Sequence, residues 1–222
     1  MKPFDLESVD RLLTTTKSVR RRLDLTRPVP RAVVTECIRL ASYAPNASNG
    51  QEWRWVVVDD PDLRARVGEQ YRKVLVPPVT KMLESKVAAG DEAGARISRS
   101  ILYLADRMGE VPVLVFPCYD KAAGLHRYQT LLGASYPGTL DMDSSKYASI
   151  YPAVWGFQLA LRSRGLASVL TTAHQSDQPA MAEILDIPLE WDQTCLIPVA
   201  YPTGDDFVPS PRRPADNSIV WR

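Results

Sequence analysis

Apolar positions recur along the chain with two different periods, and those periods mark out the elements. In "PFDLESVDRLLTTT", Leu6, Val9, Leu12 and Leu13 fall at helical spacing. In "RAVVTECIRLASYA", which follows Pro30, Val33, Val34, Cys37, Ile38 and Ala41 share one face of a second helix, closed by Pro45. "WRWVVVDD" (53–60) reads as a buried strand running into an acidic turn, and "PDLRARVGEQY" opens a helix on its proline. Residues 72–110 are mixed, although "DEAGARISRSILYLADRM" keeps a helical period. "VPVLVFPCY" (111–119) is the second strand.

Residues 120–146 break the pattern. They are rich in glycine, serine and aspartate with interleaved tyrosines, and a long irregular stretch inside a compact domain predicts an active-site loop or lid. "YASIYPAVWGFQLALRSRG" is apolar almost all round, which predicts a helix buried on most sides and ended by Gly165. "LASVLTT" reads as a strand, "DQPAMAEILD" as a short helix and "TCLIPVAYP" as a third core strand. The tail "DDFVPSPRRPADNSIVWR" is extended and punctuated by proline. Having few partners of its own, it is expected to pack on another chain. Helices first, then strands separated by helices, predict a single α+β layered domain over residues 1–222. There is no GxGxxG after a strand and no GxxxxGK[ST], so neither nucleotide fingerprint is present.

Charge removes several function classes. The 27 basic and 26 acidic residues leave a net charge of +1, so no global field draws nucleic acid or a membrane surface. The longest apolar run is too short to span a bilayer, and the acidic "MKPFDLESVD" is not a signal peptide. Cys37, Cys118 and Cys195 form no CxxC or CxxH pair, which argues against a metal site and suits a reducing cytoplasm.

Against that balance, "TTTKSVRRRL" (14–23) gathers Lys17, Arg20, Arg21 and Arg22 around Ser18. Alone, such a run is most often a solvated turn. A nucleic-acid patch would want interleaved aromatic residues, which are missing here.

Taken in order and spacing with "APNASNGQEW", "YPAVWGFQLALRSRGLASVLTT", "LDIP", "IPVAYP" and "PSPRRP", this cluster resembles the FMN-dependent nitroreductase family over most of the chain. The resemblance implies a central antiparallel sheet flanked by helices. It also implies a homodimer with two FMN sites at the interface and a C-terminal tail exchanged between subunits. By similarity, Lys17 and Ser18 contact the FMN phosphate and Arg20 the pyrimidine end, while Thr16 replaces a basic residue usual in the family. Pro45, Asn46, Ala47 and Asn49 match a segment that reaches the flavin from the other subunit, with Ala47 where serine is common. Thr171 and Thr172 match the strand end at the flavin edge, the Thr172 amide facing N5. Arg212 matches a C-terminal phosphate arginine, and Ser210 stands where some relatives carry lysine.

The chemistry suits those residue types. A phosphate dianion is met best by charge-assisted donors, and a permanently charged arginine stabilises electron density at one end of a flavin. The implied activity is NADPH- or NADH-dependent reduction of flat, electron-poor acceptors such as nitroaromatics or quinones, with no catalytic residue demanded because the flavin carries the chemistry. Two alternatives stand beside it. One is a same-fold flavoprotein with other chemistry: flavin breakdown, dehalogenation or ring dehydrogenation. The other is a non-enzymatic anion-binding module. Tyr128 and Tyr136 are candidates to stack on substrate if 120–146 is a lid. His174 either lines the substrate slot or lies at the surface, and Arg21 and Arg22 read as surface or salt-bridge residues.

Overall fold

The computed structural model describes residues 3–133 and 142–222. Tyr136 lies outside them. In chain order the elements are α1 (Leu6–Thr15), α2 (Arg31–Ala41), β1 (Trp53–Val58), α3 (Pro61–Ala88), α4 (Glu92–Arg107), β2 (Val113–Asp120), α5 (Lys121–Leu132), α6 (Met142–Ser163), β3 (Ala167–Ser168), α7 (Gln178–Leu185), β4 (Trp191–Gln193) and β5 (Ile197–Ala200).

The strands form one antiparallel sheet in the order β1-β2-β5-β3, with β4 also pairing β2. Strand β2 is buried from Val113 to Tyr119, and its side chains alternate between two apolar layers. Leu114, Phe116 and Cys118 pack with Val67 and Tyr71 of α3, Leu104 of α4 and Met181 of α7. Val113, Val115 and Tyr119 pack with Val34 and Cys37 of α2 and with Ile150, Phe157 and Leu161 of α6. The expected α+β sandwich is therefore the observed one. The three cysteines are free and fully buried.

Local chemistry places the helix starts. Asp60, Asp91, Asp120 and Asp177 each accept a backbone N–H in the first turn of α3, α4, α5 and α7. Helix α6 ends at Ser163, and Gly165 just beyond it takes φ +74°, a left-handed turn that glycine adopts without strain.

Two expectations need correction. Residues 120–146 are not irregular throughout: Asp120 caps α5, which runs to Leu132, and α6 begins at Met142. Gly124 lies within α5, where a Cβ would run into the Tyr119 side chain. The mixed 72–110 stretch is mostly helix, since α3 runs straight through Pro77 and Pro78. Both prolines are exposed, so the carbonyls of Lys73 and Val74, which lose their helical donors, sit on the wetter side of the helix.

Phe157 is fully buried against Trp55, their ring centroids 5.3 Å apart. Truncating it leaves a cavity, so Phe157→Ala is expected to cost about 3–5 kcal/mol, measured as a lowered urea midpoint with an unchanged slope.

Candidate functional site

The basic loop after α1 is pinned by its one apolar residue. Val19 is buried, and its amide donates to the Ser168 carbonyl at 3.0 Å. Pinning Val19 inward turns Ser18 and Arg20 outward. They line a groove of about 230 Å³ with Lys17, Arg21, Arg22, Ser100 and Phe207.

The cations of this groove differ in what they are bonded to. The guanidinium of Arg22 donates to the Thr203 carbonyl at 2.9 Å and to Asp206 at 2.5 Å. Arg21 lies 5.7 Å from the Tyr103 ring centroid. Lys17 donates to the Val208 carbonyl at 3.0 Å, which occupies one of its three protons. Among the described residues, the Ser18 hydroxyl and the Arg20 guanidinium have no hydrogen-bond or ion-pair partner. The reading of Arg22 as a salt-bridge residue holds.

Arg20 also ties this loop to the strand end. Tyr71 of α3 is buried, and its hydroxyl meets the Thr171 hydroxyl at 2.7 Å. Burial pushes the Tyr71 phenol up, while the Thr171 hydrogen bond and the Arg20 charge pull it down less strongly. Thr171 exchanges both backbone bonds with Leu196, at 3.0 and 2.8 Å. The next amide, that of exposed Thr172, has no partner among the described residues. The turn beyond it is fastened by Gln70 to Asp177 at 2.8 Å and by Gln175 to the Thr194 carbonyl at 2.6 Å. Gln70 and Tyr71 lie in a helix the sequence predicts, but their partners Asp177 and Thr171 are 107 and 100 residues away, so no local pattern points to them.

The matched segment from Pro45 to Asn49 has an unusual backbone. Ser48, Asn49 and Gln51 have φ of 51°, 53° and 54°. Left-handed geometry costs a residue other than glycine about 1 kcal/mol or more, so the segment needs external restraint. Asn46 supplies part of it, accepting from the Gln51 amide at 3.1 Å and donating to the Ala44 carbonyl at 3.2 Å. The Ala47 amide donates to the Ser149 hydroxyl of α6 at 3.1 Å. At the far end, buried Glu52 pairs with Arg127 of α5, and a Cβ on Gly50 would run into both.

The remaining candidates land elsewhere. Tyr128 is buried, its hydroxyl bonded to Ser145 and its ring 4.3 Å from the Arg127 guanidinium carbon, so it supports the Glu52–Arg127 pair instead of lining an open slot. Arg212 is exposed on the tail, and its one hydrogen bond is to the Pro211 carbonyl at 3.0 Å. His174 is neither at the surface nor in a slot. It is 1% exposed and edge-on to Phe116, with a centroid distance of 5.5 Å, and both ring nitrogens lack a partner within bonding geometry. Among the described residues no group of His, Cys, Asp or Glu could hold a metal, and no helix is long and apolar enough to cross a membrane.

The sandwich and its donor-lined groove define a class. A family model described as "Nitroreductase family" matches residues 13–201. The chain belongs to that family. It is similar to iodotyrosine deiodinase 1 of Sus scrofa, 25% identical over 198 residues, covering 86% of this chain and only 61% of that protein. It is also similar to 5,6-dimethylbenzimidazole synthase of Rhodobacter capsulatus, 26% identical over 186 residues, covering 82% of this chain and 78% of that protein. Its fold matches a putative nitroreductase in complex with FMN from Exiguobacterium sibiricum, with a TM-score of 0.68 and 14% identity, covering 100% of this chain and 99% of that one.

Burial lowers the His174 pKa to about 4, outweighing a weak opposing effect of the Gln193 backbone. The unfolded chain therefore binds a proton near pH 6.5 that the folded chain refuses until about pH 4. Stability is expected to fall across that window by up to about 3 kcal/mol, and His174→Phe should flatten this part of the acid limb in urea melts.

Proposed function

We propose that the chain is an FMN-dependent oxidoreductase of the nitroreductase type, working as a homodimer. One observation supports this reading above the others: Ser18 and Arg20 leave their donors unpaired in the groove, as does the Thr172 amide at the strand end, while Arg22 is held by Thr203 and Asp206. Unpaired donors in the groove and at the strand end suit a ligand that carries a dianion at one end and acceptor atoms along a flat ring. Lys17 and Ser18 would hold the phosphate, joined by Arg212 from the tail. Arg20 would hold the pyrimidine end, where its permanent charge stabilises added electron density. The Thr172 amide is the donor available to the flavin edge. When bound, FMN supplies hydride transfer through N5, from NADPH or NADH to a flat, electron-poor acceptor such as a nitroaromatic or quinone.

The second subunit would bring Pro45, Asn46, Ala47 and Asn49 to that ring. Pro45, Ser48 and Asn49 are exposed, as is Trp155 on α6, and they offer surface for such an interface. Trp221 in the tail is 90% exposed, as expected of a segment whose partner is another chain. A cytoplasmic setting fits the free cysteines.

A second reading keeps the fold and the flavin and changes the reaction to dehalogenation, flavin breakdown or ring dehydrogenation. The names of the pig and Rhodobacter relatives favour it, since one is a deiodinase and the other a synthase.

Purified protein should be yellow, run as a dimer in size-exclusion chromatography with light scattering, and bleach anaerobically on adding NADPH or NADH. Colourless protein that takes up no added FMN would end the proposal. Bound FMN that neither nicotinamide reduces would favour the second reading. Ser18→Ala is expected to weaken FMN binding about 10- to 100-fold, the range for losing a hydrogen bond to a charged group, read by flavin fluorescence quenching.

A further inference from the structure

Chain segments 17–24 and 201–208 lie side by side. The Asp24 amide donates to the Tyr201 carbonyl at 2.7 Å, Leu23 bridges Pro202, and the Thr203 amide donates to the Arg22 carbonyl at 2.9 Å. Arg22 returns a bond to the Thr203 carbonyl and grips Asp206. Its guanidinium crosses Gly204, where φ is +83° and a Cβ would meet that side chain.

The pairing ends on one aromatic ring. Phe207 has three cations around it: Arg22 at 4.7 Å, Arg162 of α6 at 5.1 Å and Lys17 at 5.7 Å from its centroid. Each sits within the range of a cation–π attraction. Arg162 has no acidic partner among the described residues: its Nη2 reaches the Thr15 hydroxyl at 3.4 Å, and its buried Nε bonds nothing. Lys17 closes the contact by donating to the Val208 carbonyl.

Beyond Val208 the chain turns stiff and free. Pro209, Pro211 and Pro214 fix their own φ angles, and residues 211–222 are exposed. Arg212 follows Val208 by four residues, a span of at most about 14 Å. An anchored and stiffened spacer confines where that guanidinium can go, which lowers the entropy lost when it closes on an anion.

We propose that Phe207 is a positioning residue for the phosphate end of the site. Its ring, caged by Lys17, Arg22 and Arg162, docks the tail on the basic loop so that Arg212 reaches the anion held by Lys17 and Ser18. This rests on the FMN reading above. Arg22 and Arg162 then act on the tail and not on the ligand, and the run of cations after α1 has two tasks.

The test compares wild type with Phe207→Leu, which keeps an apolar side chain and removes the π face, and Phe207→Tyr, which restores the face. FMN affinity is read by fluorescence quenching, and tail docking by the rate of tryptic cleavage after Arg212 in the FMN-free protein, the bond after Arg213 being protected by Pro214. Phe207→Leu should bind FMN about tenfold more weakly and lose its tail faster, and Phe207→Tyr should recover both. Arg212→Ala should weaken FMN binding, with little further loss in the Phe207→Leu/Arg212→Ala double variant, because both act through one contact. An unchanged thermal midpoint for Phe207→Leu separates positioning from unfolding. Wild-type affinity in Phe207→Leu, or full additivity with Arg212→Ala, would overturn the positioning role alone. Wild type that binds no FMN would sink the flavin reading and the positioning role with it, whatever the cleavage rates.

Discussion

The double-sided burial of β2 is the constraint on which the structure depends. A strand with no wet face must have its backbone polar groups paired within the protein, so it needs strands on both sides and an apolar layer above and below. Strands β1, β4 and β5 meet the first demand, and the helices on its two faces meet the second. Polar chemistry is thereby pushed to the margin of the sheet. The basic loop lies against β3 through the Val19 amide, and the Thr171–Thr172 strand end lies against Leu196.

At that margin the distinction among the charges is made by bonding, not by sequence. Lys17, Arg20, Arg21 and Arg22 look alike in a row of letters, but Val19 facing inward and the tail lying alongside give each a different surrounding. Arg22 is held by Thr203 and Asp206, whereas Arg20 keeps its donors and its charge acts on the buried phenol of Tyr71. A basic run with near-zero net charge in the whole chain is thus resolved into structural and ligand-facing members by a few carbonyls.

How much of this could be read beforehand depended on the range of the interaction. The α+β sandwich, the helix at 31–44 and the strand at 111–119 are written in local periodicity, and they were legible. Helix α5 is hidden by Gly124 and the polar residues around it, which read as a loop, while its Asp120 cap and the Tyr119 side chain that requires a glycine at 124 lie just outside it. Helix α3 extends past the stretch that periodicity marks, through Pro77 and Pro78, and both prolines lie on its exposed side. His174 looked peripheral because a histidine beside threonines has no burial signal of its own, yet the Phe116 side of the sheet closes over it. The left-handed Ser48, Asn49 and Gln51 are flanked by a buried Glu52–Arg127 pair that joins residues 75 apart in sequence, and no local pattern announces them.

The fully interior placement of all three cysteines has its own chemical consequence. Burial pushes the Cys118 and Cys195 thiols up to about 12, so almost none of either exists as the nucleophilic thiolate at neutral pH. Thiol-directed electrophiles in the surrounding medium therefore meet no ready thiolate at these two positions. Packing alone, without any protective disulfide, is thus expected to slow thiol alkylation and thiol crosslinking between copies.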